Sequence, residues 1–172
     1  MVRPKTAAEK QSELIDKVHH EHAHMRRLFD DLAAHFEAIS AGEYDADKRG
    51  QVVAAAAEDL EMALEEMMHH FDQEEEIFFV EIEERFPHME ESVSRLVEAH
   101  EEMSQRTRWL QEQLTQDTAK MVRNLEVIVD VLGSMAELVD RHTQEETELF
   151  QQVLKEMPAG EQDELLERMR QI

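Results

Sequence analysis

The stretch Met135-Ala136-Glu137-Leu138-Val139-Asp140-Arg141-His142-Thr143-Gln144-Glu145-Glu146-Thr147-Glu148-Leu149 places Met135, Val139 and Leu149 at helical steps, with His142 and Glu146 in the same row. Steps of three and four residues keep side chains on one face of an α-helix. The row continues back through Leu132, Ile128, Leu125 and Met121 and forward to Val153. A polar pair inside so long an apolar stripe is the feature to be explained.

Three further stripes precede it. The first runs Ile15, Val18, His22, Met25, Phe29, Leu32, Phe36, Ile39, and the second Val53, Ala56, Leu60, Ala63, Met67, His70, Glu74, Ile77. The third runs Val93, Leu96, His100, Met103, Thr107, Leu110, Leu114. Between the stripes lie breaks: Ala41-Gly42-Glu43-Tyr44-Asp45-Ala46-Asp47, Phe86-Pro87-His88, a weaker one from Leu114 to Ala119 with Asp117 or Thr118 as cap, and Met157-Pro158-Ala159-Gly160. Helices are therefore expected at about 9–40, 50–85, 89–114 and 119–156, with a short amphipathic helix at about 160–171 carrying Leu165, Leu166 and Met169 on one face. Nothing alternates like a strand. The expected fold is all-α: an antiparallel up-down-up-down four-helix bundle, one domain over 1–172 with its bundle core at about 9–156. Gly133, inside the fourth helix, costs up to about 1 kcal/mol against Ala, and a close helix contact would explain it.

Composition excludes several functions. The chain of 172 residues has 41 Asp and Glu against 18 Lys and Arg, a net charge of -23. That balance disfavours nucleic acid and anionic membrane surfaces, since both require a basic face. Without Cys there is no disulfide, zinc-thiolate site, iron–sulfur cluster or thiolate nucleophile. Arg3, Lys5 and Lys10 precede no apolar run, so neither a signal peptide nor a membrane span is expected, and a cytoplasmic location is.

The ten His remain. His22 lies about 19 residues before the first break and His70 about 20 after it; Glu74 lies about 12 before Pro87 and His100 about 13 after it. His100 stands roughly 16 before the third break and His142 roughly 24 after, a poorer match at the vaguest boundary. At about 1.5 Å rise per residue, His22, His70, Glu74, His100, His142 and Glu146 converge on one level of the core. One such His on an apolar stripe is explained by a hydrogen bond or an internal salt bridge. Six polar groups at one height, with His-x-x-x-Glu repeated at His70/Glu74 and His142/Glu146, require a stronger compensation, and a metal centre supplies it.

If each Glu bridges two ions, the carboxylates and imidazoles give about four donors per ion, leaving room for a shared oxo or hydroxo bridge and about one exchangeable position each. Nitrogen and carboxylate donors with open positions point to two iron ions, with manganese possible. A bis-His haem leaves the two Glu unexplained, and the ferritin-type site uses Glu-x-x-His instead. No residue stands out as a separate acid or base. His20 or His24 is the alternative to His22 if the register of that dense cluster differs. His19, His35, His69 and His88 read as surface or loop residues, the acidic run from Asp72 to Glu76 as a solvated face flanking one inward residue, and the methionines as core filler.

The sequence resembles the hemerythrin-like HHE cation-binding domain over roughly residues 12–157. The resemblance rests on Glu21-His22 followed by Met25-Arg26-Arg27-Leu28, His70-Phe71 with Glu74-Glu75, Glu98-Ala99-His100-Glu101, and His142 with Glu145-Glu146. It implies a non-haem diiron centre with His22, His70, His100 and His142 as terminal ligands and Glu74 and Glu146 as bridges. Oxygen-carrying hemerythrins have a further His where this chain has Ser104, and an Asp five residues after the last His where this chain has Glu146 four after. The site is thus similar to a four-His, two-Glu branch that includes iron-centre repair proteins, peroxide-handling bacterial proteins and the iron-sensing domain of a ubiquitin-ligase subunit. The expected function is binding or reduction of O2, H2O2 or NO by a monomer or weak homodimer. An oxygen or iron sensor and an iron-centre repair or iron-donor protein are the alternatives, ahead of a metal-free helical interaction protein.

Overall fold

The computed structural model describes residues 7–116 and 118–170; Arg3, Lys5 and Asp117, and the side chains of Lys10, Ile15, Val18, Leu166 and Met169, lie outside what is described. The described residues form helices and contain no strand: α1 (Ala7–Ser40), α2 (Ala46–Gln73), a π-helical segment (Glu74–Phe79), α3 (Val80–Arg85), a 3-10 turn (Pro87–Met89), α4 (Glu90–Leu114), α5 (Thr118–Arg123), α6 (Leu125–Glu156) and α7 (Ala159–Arg170). They pack as a helical bundle in which α6 lies against both α1 and α4, and α4 against α2. No helix among them is long and apolar enough to cross a membrane.

The first loop is short because both of its ends are capped. After α1, Gly42 takes φ +73°, and the N–H groups of Gly42 and Glu43 donate back to Ile39 O and Ala38 O at 3.1 and 3.0 Å. This is a Schellman closure, which needs a left-handed residue. Asp45 Oδ1 then accepts from Lys48 N at 2.8 Å, so α2 begins at Ala46, ahead of the expected 50.

Two expected helices are interrupted. The segment expected to run unbroken over 50–85 contains the π turn, and a π turn takes in an extra residue that shifts the stripe beyond it. Ile77 is accordingly only half-buried, while Phe78, Phe79 and Ile82 are buried. Val53 is also half-buried, with Val52 in its place in the core. The helix expected over 119–156 breaks at Asn124, whose Nδ2 donates to Gln113 Oε1 at 2.8 Å. His142 therefore lies 17 residues beyond the start of α6 at Leu125, close to the 14 separating His100 from the end of α4 at Leu114. That reduces the mismatch in height seen from the sequence to three residues.

The core has two apolar clusters. One includes Phe29, Phe36, Leu60, Met67, Leu110, Ile128 and Met135; the other is built from Phe78, Phe79, Ile82, Leu96, Phe150 and Val153, with Leu165 of α7. Each fully buried side chain of this kind stabilises the fold by about 1.5–3 kcal/mol. Glu81, itself buried, accepts from Arg85 of its own helix and from Arg168, fastening α7 beside the second cluster. Gly133 is exposed, and a Cβ there would meet nothing within 4 Å, so the close contact expected around it is absent.

Candidate metal centre

Along α4 and α6, polar residues separate the two apolar clusters, and on α1 a polar residue stands at the edge of the first. His22 follows on from the Met25–Phe36 stripe, His100 lies between Leu96 and Met103, and His142 and Glu146 lie between Val139 and Leu149. His22, His100, His142, Glu74 and Glu146 are buried, and the His70 side chain is 14% exposed. His20, His24, His19, His35, His69 and His88 are all exposed, so His22 is the inward residue of its cluster. Several exposed ones have local partners: His19 with Thr147, His35 with Tyr44, His69 with Gln73 and His88 with Glu156.

All six expected residues meet. His22 Nε2 is 3.0 Å from His70 Nε2, and His100 Nε2 is 3.3 Å from His142 Nε2. Glu74 lies between these pairs: Oε1 is 3.2 Å from His70 Nε2 and Oε2 is 3.3 Å from His100 Nε2. Glu146 Oε2 is 3.5 Å from His22 Nδ1. Three overlapping triads can each hold a metal ion, with ligand atoms within 4.8 Å of one another: His22/His70/Glu74, His22/His142/Glu146 and Glu74/His100/His142. Phe71 stacks on His100 with ring centroids 3.8 Å apart, fixing the plane of that imidazole.

The electrostatics of the layer are those of neutral groups held away from water. Burial, aided by the neighbouring imidazoles, pushes His22 down to about 3 and His142 well below the usual range. Burial likewise takes His100 down to about 4, against the opposing pull of Glu75. Burial pushes the Glu74 carboxyl up to about 7, against a downward pull from the adjacent Glu146 carboxyl and with Glu21 and Glu75 adding, and holds Glu146 well above the carboxylate range with Glu74 beside it. His22 Nδ1, His142 Nδ1 and both oxygens of Glu74 and of Glu146 have no hydrogen-bond partner; among the described residues only Gln116 Oε1 shares that condition. Each orphaned buried polar group costs about 1–3 kcal/mol. Neutral imidazoles each have one nitrogen lone pair to offer, and the carboxyl oxygens facing them have no hydrogen-bond partner, so together they are a ligand set for cations and these residues fit a metal.

The family model for the hemerythrin HHE cation-binding domain matches residues 13–154. The chain belongs to this family. Comparison of this hemerythrin domain with curated proteins, and with solved structures, gives no match.

Two residues of the site were not anticipated. Glu75 Oε1 lies 2.8 Å from His100 Nδ1, and Glu21 Oε2 lies 3.4 Å from His70 Nδ1. Glu75 therefore departs from the solvated face expected for residues 72–76, while Asp72 and Glu76 are exposed as expected. The available signal was adjacency, since Glu21 precedes His22 and Glu75 follows Glu74.

Proposed function

We propose that this hemerythrin domain is a non-haem diiron protein that binds or reduces a small oxidant, O2, H2O2 or NO. The observation that carries the proposal is the set of buried donor atoms, left without hydrogen-bond partners, that α1, α2 with its π segment, α4 and α6 bring to one layer. In this reading His22, His70, His100, His142, Glu74 and Glu146 are the residues that would hold the ions, the imidazoles through ring nitrogens and the two Glu through their carboxylates. The four long helical segments run antiparallel, up-down-up-down, in one domain of the four-His, two-Glu branch, cytoplasmic and monomeric or weakly dimeric. Manganese is the alternative metal.

When bound, the iron pair supplies electrons and open coordination positions for the oxidant. The protein supplies the rest. Burial keeps the imidazoles neutral, so their lone pairs remain available. The same burial favours the protonated forms of the Glu74 and Glu146 carboxyls, and a bound cation would favour the ionised ones. The apolar clusters to either side limit water access to the layer. Ser104, one helical turn beyond His100, is buried and donates only to Met68 Sδ, at 3.4 Å. No imidazole fills that position, which supports reactivity over simple reversible oxygen carriage.

The experiment is anaerobic ferrous reconstitution, with metal analysis and optical spectra before and after addition of H2O2 or NO. The proposal predicts about two ions per chain and a spectrum that each oxidant changes. Far fewer ions per chain would contradict it. The orphaned layer also supports a second reading, an oxygen or iron sensor or iron donor, because a layer so poorly paired loosens when the metal leaves. That reading predicts a large loss of helicity on chelation and little turnover.

A further inference from the structure

His100 is gripped at both of its nitrogens by consecutive residues. Glu74 Oε2 faces Nε2 at 3.3 Å and Glu75 Oε1 faces Nδ1 at 2.8 Å, and these two Glu open the π segment. His70 repeats the arrangement with residues from two helices: Glu74 Oε1 at Nε2, 3.2 Å, and Glu21 Oε2 at Nδ1, 3.4 Å. The other two imidazoles have no carboxylate from outside the six-residue set at Nδ1. His22 Nδ1 faces Glu146, and His142 Nδ1 has no hydrogen-bond partner.

The two oxygens of Glu74 divide the layer in two. Oε1 faces His70 Nε2 in the triad with His22, and Oε2 faces His100 Nε2 in the triad with His142, while Glu146 groups with His22 and His142 across the two sides. Each side thus contains one imidazole backed by a carboxylate that is itself partly exposed, Glu21 at 41% and Glu75 at 37%. A backing carboxylate accepts from Nδ1–H and so selects the tautomer whose Nε2 lone pair faces inward. Its charge also makes that nitrogen a stronger donor.

Building on the metal-site reading above, we infer that Glu75 and Glu21 are positioning residues, one for each ion position. The shorter contact, Glu75 to the buried His100, makes the His100/His142 position the tighter of the two. Neither Glu is a ligand; each acts through the imidazole that it orients.

The test is anaerobic ferrous titration of the full chain, stripped of metal, following stepwise affinities by calorimetry and helicity by circular dichroism. Glu75→Ala should weaken the tighter binding step by about 10- to 100-fold. Glu75→Gln, which keeps an acceptor but loses the charge, should fall between Glu75→Ala and the wild type. Glu21→Ala should weaken the looser step, and by less. The exposed neighbour Glu76, changed to Ala, should alter neither. Glu75→Ala and wild type titrating alike, or Glu75→Ala and Glu76→Ala weakening alike, would overturn the inference while leaving the site intact. A wild-type chain that takes up no ferrous ion would instead overturn the site reading, and this inference with it.

Discussion

Glu74→Gln should make the metal-free protein more stable and the metal-bound protein unattainable. The Glu74 carboxyl is displaced from 4.5 up to about 7 because its burial penalises the ionised form. A group whose pKa is raised by folding favours the fold below its unfolded value and loses that contribution as the pH climbs through the folded value. Each pH unit between the two values corresponds to about 1.4 kcal/mol, so ionising Glu74 inside the metal-free fold costs up to about 3 kcal/mol above pH 7. Gln has nearly the same shape and no proton to lose. The advantage of the variant should therefore be near zero at pH 4.5 and grow to about 3 kcal/mol at pH 8, which for a chain of this size is a rise of about 6–12 °C in Tm. The assay is thermal unfolding by circular dichroism after chelation, at both pH values, with metal analysis of reconstituted samples alongside. A variant equally stable or less stable than the wild type at pH 8 would refute the reasoning, as would an advantage that did not change with pH.

Ferrous binding at pH 6 should release about one proton from Glu74, whose carboxyl is pushed up to about 7, and a further contribution from Glu146, which burial also raises; calorimetry in buffers of differing ionisation heat measures this, and no release would mean that the carboxyls are not ligands. His22→Ala should abolish two-ion binding while His20→Ala, His24→Ala and His69→Ala retain it, as read by metal analysis; equal losses would undo the register of α1 and α2. Gly133→Ala should stabilise the protein by about 0.5–1 kcal/mol, because the site is exposed and open; destabilisation in urea would point to a contact at that position.

The parts legible in the sequence are those that follow an unbroken helical period. Every expected stripe position of α4 is buried, and so is every one from Met121 through α6 to Val153, the polar residues included. His22 separates from His20 and His24 for the same reason: it shares the row of Met25, Phe29 and Leu32. What was not legible breaks the period. The π segment takes in an extra residue without Gly or Pro to announce it, moving the stripe from Ile77 to Phe78. Asn124 interrupts its helix through a side-chain bond to Gln113, eleven residues away, which no local pattern records. Glu75 and Glu21 are found only once α4 and α2 are laid beside their neighbours, because their partners are imidazoles on other helices. Periodicity identifies which residues face the core. It does not identify which of their neighbours reach around to the outer nitrogen of a core histidine.

The most direct test of the account is the metal content of the wild-type chain after anaerobic ferrous reconstitution and removal of loosely held metal, set beside Glu146→Ala. The account predicts about two ions per wild-type chain and loss of the paired centre in the variant. Far less than two in the wild type, or the same content in both, would contradict it.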